Sequence, residues 1–248
     1  MHPYLFHSGH LLVPTFGVLV AAGLMAALSL SLRTAATVGL NPESVWNAGL
    51  FMLLAAFVLS RLLLVITNLH SFFTYPILIL MVPSLTATGI LLTALATILY
   101  IRFRQLPFLP ILDAWAPCAT LIWAFLALGH FAEGSDAGLP TTLPWGIVIY
   151  QTALRLHPVP LYASLLAAIL TLILLRQLTR RHHSGDTFVL ALGAAGTIQF
   201  FLTFLRQPSP YNFPLSNLLD PIQWISLGMI LIAGLIVLQP RKLVSHAL

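Results

Sequence analysis

The chain has 248 residues, 59% of them hydrophobic and only 7% charged, and its mean hydropathy is +0.96. So little charge excludes a water-soluble globular domain. The net charge of +5 does not point to nucleic acid, because the basic residues stand singly or in pairs between apolar runs, as membrane topology signals do.

A bilayer core about 30 Å thick asks for about 20 apolar residues in helical form, since every backbone polar group must be satisfied within the segment. The stretches that meet this requirement are, in chain order, Leu11–Leu32, Val45–Leu69, Pro76–Arg102 with an interruption near Pro83, Ile111–Gly129, Pro160–Leu178, Thr187–Leu205 and Pro221–Leu238. The expected fold is all-α, a polytopic membrane protein with about seven transmembrane helices forming one integral membrane domain over residues 1–248. Met1-His2-Pro3 places no Lys or Arg before the first run, so the basic n-region of a secretory signal is missing and that run is expected to stay as a helix. The one cysteine, Cys118, lies inside the fourth run, which excludes a disulfide framework and a cysteine-type metal site and leaves it a small core hydrophobe.

Laid between these runs, eight of the eleven Lys and Arg residues fall on one side: Arg33, Arg102, Arg104, Arg176, Arg180, Arg181, Arg241 and Lys242. Arg155 and Arg206 fall on the other, and Arg61 lies within the second run. The positive-inside rule then puts the N-terminus outside and the C-terminus in the cytoplasm. The outward loops after the fourth and sixth runs are long, and they hold His130, Glu133, Asp136, Trp145, His157, Arg206, Tyr211 and Asp220. Most residues capable of chemistry thus share one face, and long ordered loops are commonly functional.

Arg61 lies roughly 24 Å along the second helix, toward its outer end, at 1.5 Å per residue. An arginine there costs several kcal/mol unless paired or hydrated, so it reads either as a phosphate or carboxylate clamp or as a side chain snorkelling to the interface. The Pro83 interruption is the one feature suited to a transporter with discontinuous helices, but Arg61 is too near the outer surface for a midplane site. After the fourth run, Gly129-His130-Phe131-Ala132-Glu133-Gly134-Ser135-Asp136-Ala137-Gly138 combines glycines, a histidine and two carboxylates. If the stretch stayed helical, His130, Glu133 and Ala137 would share a face and offer an imidazole beside a carboxylate, the pairing of a general base; a solvated turn is the other reading. His157 and Tyr162 flank the prolines that open the fifth run, at headgroup level, where an interfacial Tyr is expected in any case. Arg206 stands against the charge bias and suits an anionic partner, an ion pair with Asp220, or water. Arg180-Arg181-His182-His183 reads as a topology anchor against anionic lipid and not as a metal site.

Several of these stretches, in order, resemble the bacterial prolipoprotein diacylglyceryl transferase family. Gly129-x-Phe131-x-x-Gly134-x-x-x-Gly138-x-Pro140-Thr141-x-Leu143-Pro144-Trp145 resembles its signature loop, and His157-Pro158-x-x-Leu161-Tyr162 its His-Pro-x-Gln-Leu-Tyr box. Phe204-Leu205-Arg206-Gln207-Pro208 with Gln223-Trp224-x-Ser226 is similar to its last outer loop and final helix, and Ser60-Arg61-Leu62 to its Ala-Arg-Leu. Phe16-Gly17, Gly39-Leu40-Asn41-Pro42-Glu43 and Leu112-Asp113-Ala114-Trp115-Ala116-Pro117 add weaker likeness, so that it spans nearly the whole chain.

The resemblance implies an enzyme of the bacterial inner membrane. It would take phosphatidylglycerol, transfer the diacylglyceryl group to the cysteine thiol of a lipoprotein signal peptide, release glycerol phosphate, and need neither cofactor nor metal. Arg61 and Arg206 would clamp the phosphate, with His157, Tyr162 and Asp136 around the substrate and His130 or Glu133 as the base. The chain also departs from the family. Its His-Gly-Gly falls at Thr86-Ala87-Thr88, the arginine before the loop at Ala127, the loop's asparagines at His130 and Glu133, and its glutamate at Ser135. A further arginine and glutamate fall at Gln199 and Thr203. The alternative is therefore a degenerate member that binds a phospholipid or a partner helix without turnover.

Overall fold

The computed structural model of the chain describes residues 4–8, 11–70, 86–148, 154–181, 183–207 and 218–238. Among these residues the principal helices are α1 (Thr15–Thr37), α2 (Pro42–Thr67), α3 (Ala87–Phe103), α4 (Phe108–Glu133), α5 (Val159–Arg180), α6 (Asp186–Thr203) and α7 (Pro221–Leu238). Each expected run overlaps one of them, and six, all but the shorter α3, are long and apolar enough to cross a membrane. The fold is all-α and polytopic in kind. The first part of the third run, with Pro83, lies outside the described residues, as do His182, Pro208, Tyr211, Arg241 and Lys242.

Two short hairpins supplement the helices, β1 (Tyr4–Ser8) with β2 (Leu11–Pro14) and β3 (Ile147–Val148) with β4 (Arg155–Leu156). The first corrects the expected start of helix one. Leu11–Pro14 is extended, and the helix begins only after Pro14, whose φ of −70° and ψ of 130° place it at the N-cap. A proline restricts the residue before it to extended backbone, and a helix that follows one starts without loss of a hydrogen bond. At α2 the opposite arrangement holds: Asn41 accepts from the Glu43 N–H and Pro42 occupies the first turn.

In lipid there is little hydrophobic drive for helices to associate, so close packing of small residues does the work. On α1, Gly23, Ala27, Ser31 and Ala35 recur every fourth position along the buried face, and this stripe lies against α4. On α5, Ala163, Ala167 and Thr171 do the same, and the Thr171 hydroxyl meets that of Thr120 on α4 at 2.8 Å. Gly196 on α6 lets α7 approach until the Ser226 carbonyl would stand 2.9 Å from any added Cβ. Helix α4 is the hub, packed on α1, α5 and α6.

The helices alternate in direction. At one end of the bundle the Phe16 ring at the start of α1 lies 4.8 Å from His130 at the end of α4. At the other end a fully buried carboxylate, Asp113, ties α4 to the α5–α6 connection. Its Oδ2 accepts from Arg181 Nη1 at 2.9 Å and from the Gly185 N–H at 2.6 Å, and its Oδ1 from the Phe188 N–H at 2.9 Å. Arg181 Nη2 also donates to the Val38 carbonyl beyond α1, at 3.0 Å. Arg181 therefore departs from its expected role as a lipid-facing anchor: a carboxylate buried in an apolar helix needs a cation, and this arginine supplies it. Arg176 and Arg180 remain exposed.

Candidate functional site

The loop that leaves α4 is shaped by its glycines. The helix stops at Gly134, whose φ of 82° is the left-handed C-cap conformation that glycine adopts without steric penalty. The Gly134 and Ser135 N–H groups both donate to the His130 carbonyl at 3.0 Å, and Asp136 follows at φ 63°. The helical face expected to run His130, Glu133, Ala137 thus ends one turn early. Ser135, folded back by this turn, takes the place expected of Ala137: its Oγ lies 2.9 Å from His130 Nδ1 and 3.4 Å from Glu133 Oε2.

Beyond Asp136 the loop is woven with two distant segments. The Gly138 N–H donates to the His157 carbonyl at 2.9 Å, the His157 N–H to the Leu139 carbonyl at 3.0 Å, and the Thr141 N–H to the Arg155 carbonyl at 2.8 Å. On the other side the Leu139 N–H donates to the Leu205 carbonyl at 2.8 Å, and Gly138 pairs antiparallel with Arg206. Gly138 is required here by closeness, not by φ. A Cβ would collide with the Leu205 carbonyl and stand 2.6 Å from Val159 Cγ2 and 2.9 Å from His157 Cβ. One glycine therefore lets the start of α5 and the end of α6 approach the same strand.

This weave brings the expected residues into two adjoining groups. In the first, Arg206 Nη2 forms an ion pair with Asp136 Oδ2 at 2.9 Å, an aspartate of the glycine loop that was not among its expected partners. His157 sits across Gly138 from Arg206, its ring 6.3 Å from Tyr162, and the Tyr162 hydroxyl accepts from Trp145 Nε1 at 2.8 Å. Arg206 Nε and His157 Nδ1 are both buried, with no hydrogen-bond partner among the described residues. The second group is His130, Ser135 and Glu133. Ser135 and Asp136 are consecutive, so the two groups are joined by one peptide bond, about 3.8 Å between Cα atoms.

Arg61 stands apart, on α2. Its guanidinium lies 5.7 Å above the Phe57 ring, and its Nη1 is buried without a partner among the described residues. Gln199 Oε1 on α6 is in the same condition. A buried polar atom left unpaired costs about 1–3 kcal/mol. Such atoms persist where a ligand or water completes them.

Sequence reasoning did not anticipate Ser135 as the group between His130 and Glu133, nor Asp136 as the partner of Arg206. Both depend on the turn at Gly134, whose signal was the glycine itself.

Helices fit to cross a membrane, with the polar residues of three separate loops folded into one platform at a single end of the bundle, define an integral membrane protein. The chain belongs to the prolipoprotein diacylglyceryl transferase family, whose profile matches residues 3–239. A phosphatidylglycerol–prolipoprotein diacylglyceryl transferase of Clostridium tetani is 26% identical over 239 residues, covering 94% of this chain and 95% of that protein. One of Parasynechococcus marenigrum is 32% identical over 188 residues, 70% of this chain and 68% of its own length. One of Synechococcus elongatus is 28% identical over 184 residues, 70% of this chain and 64% of its own.

Proposed function

We propose that this chain is a single integral domain of the bacterial inner membrane that transfers the diacylglyceryl group of phosphatidylglycerol to the signal-peptide cysteine of a lipoprotein. The weave lies at the outer leaflet, with the N-terminus outside and the C-terminus in the cytoplasm. The observation that carries the reading is the pair of buried, unpartnered nitrogens, Arg206 Nε and His157 Nδ1, on either side of Gly138. A phosphate reaching these nitrogens would complete them, and charge-assisted bonds of this kind are worth about 1.5–3 kcal/mol each.

In the reaction His130, backed by Glu133, takes the thiol proton. The sulfur forms a bond to the glyceryl carbon as the carbon–oxygen bond to phosphate breaks, and glycerol phosphate leaves with its added charge held by Arg206. Asp136 acts through Arg206 as a positioning residue, Tyr162 keeps its own hydroxyl proton to donate to substrate, and Arg61 reaches the same phosphate from α2.

The test is expression in cells depleted of their own transferase, following lipidation of a reporter lipoprotein. Restored lipidation is expected; none, with folded protein in the membrane, contradicts the reading. A second reading, lipid binding without turnover, is favoured by the Asp136–Arg206 ion pair, which already neutralises the guanidinium. Under it, native mass spectrometry would find phosphatidylglycerol retained and unchanged after incubation with a cysteine peptide.

A further inference from the structure

Ser135 has three contacts and only one proton. Its Oγ lies 2.9 Å from His130 Nδ1, 3.4 Å from Glu133 Oε2 and 3.4 Å from the His130 carbonyl. The carboxylate and the carbonyl are acceptors only, whereas the imidazole nitrogen can play either part. If Ser135 donated to Nδ1, both longer contacts would set oxygen against oxygen with no hydrogen between them. If Nδ1–H donates to Ser135, the hydroxyl proton is free for the carboxylate or the carbonyl, and only one contact is left without a hydrogen.

We infer that Ser135 is a positioning residue that holds His130 in its Nδ1–H tautomer, leaving Nε2 as the ring's acceptor and linking the imidazole through the hydroxyl to Glu133. The tautomer of a histidine base is set by the bond its other nitrogen makes. The Phe16 ring, 4.8 Å away and tilted by 47°, braces the imidazole from α1. A proton arriving at Nε2 makes an imidazolium whose charge is offset by the Glu133 carboxylate through the serine, and no atom moves by more than a hydrogen bond. Glu133 is exposed, so the line runs from the ring to solvent. The inference rests on His130 as the base only for its catalytic consequence; the tautomer itself follows from the contacts.

The experiment uses the full-length protein in phosphatidylglycerol nanodiscs, ¹⁵N-labelled at histidine, with His130→Gln identifying the His130 signals. Spectra are taken at about pH 8.5, above the ordinary imidazole range. Wild type is expected to show a protonated Nδ1 and a bare Nε2, Ser135→Ala to shift toward the Nε2–H form, and Ser135→Thr to match wild type. An Nε2–H ring in wild type, or a ring unchanged in Ser135→Ala, overturns the inference. With phosphatidylglycerol and a cysteine-bearing signal peptide as substrates, Ser135→Ala is expected to lower kcat about tenfold, to change KM less than about twofold, and to be rescued by threonine. Equal kcat for Ser135→Ala and wild type counts against the positioning role. Absence of transfer in wild type sinks the transferase reading instead, and the spectra still decide the tautomer.

Discussion

Asp113 and Asp136 each hold an arginine at 2.9 Å, at opposite ends of the same helical bundle. Around Asp113 nothing is left over: the carboxylate is fully buried, both oxygens accept, and its arginine also serves the Val38 carbonyl. Around Asp136 the accounting is open, for the aspartate is 39% exposed and Arg206 keeps a buried Nε with no partner among the described residues. Equal distances thus conceal unequal roles. The saturated pair is a clasp joining helices; the unsaturated one keeps a buried donor open, which under the proposed function an anion completes.

The largest way to break this comparison is Asp113→Ala, which strands Arg181 and two backbone N–H groups in the interior. It should cost about 3–5 kcal/mol and lower the unfolding temperature in detergent sharply, while Asp136→Ala should cost clearly less, because its carboxylate is 39% exposed to water. Similar losses from the two would erase the distinction. Next is Gly138→Ala, whose Cβ meets the Leu205 carbonyl and Val159; overpacking of this sort costs about 1–3 kcal/mol, and the loop should become more open to protease near Asp136. The smallest effect expected is from Tyr162→Phe. It removes an exposed hydrogen bond from Trp145, should change stability by less than about 1 kcal/mol, and should shift Trp145 emission; an unchanged spectrum would remove Tyr162 from the platform.

How much of this was legible in the sequence differs between the two ends. The helices were, because lipid demands long apolar runs and each expected run overlaps a helix; the missed boundary at Leu11–Pro14 came from giving apolar character more weight than the proline. The Asp113 clasp was not, since its partners are separated by 68 positions and Arg181 in isolation looks like any basic residue beside a membrane. A carboxylate inside the fourth run was nevertheless a signal that some cation had to meet it. At the other end the glycine loop, the His157 box and Arg206 were each visible as pieces. Their convergence on Gly138 was not, because it depends on which backbone can approach which. Arg61, grouped with them by motif, has no described hydrogen bond to either group, and its place in the site belongs to the proposal.

The most direct test of the unsaturated pair is native mass spectrometry of phosphatidylglycerol retained by wild type, Arg206→Ala and Arg180→Ala. Loss of one charge-assisted bond, worth about 1.5 kcal/mol or more, predicts that Arg206→Ala binds the lipid at least about tenfold more weakly while Arg180→Ala, exposed and at the clasp end, matches wild type. Equal retention by all three, or equal loss in both variants, would contradict the account.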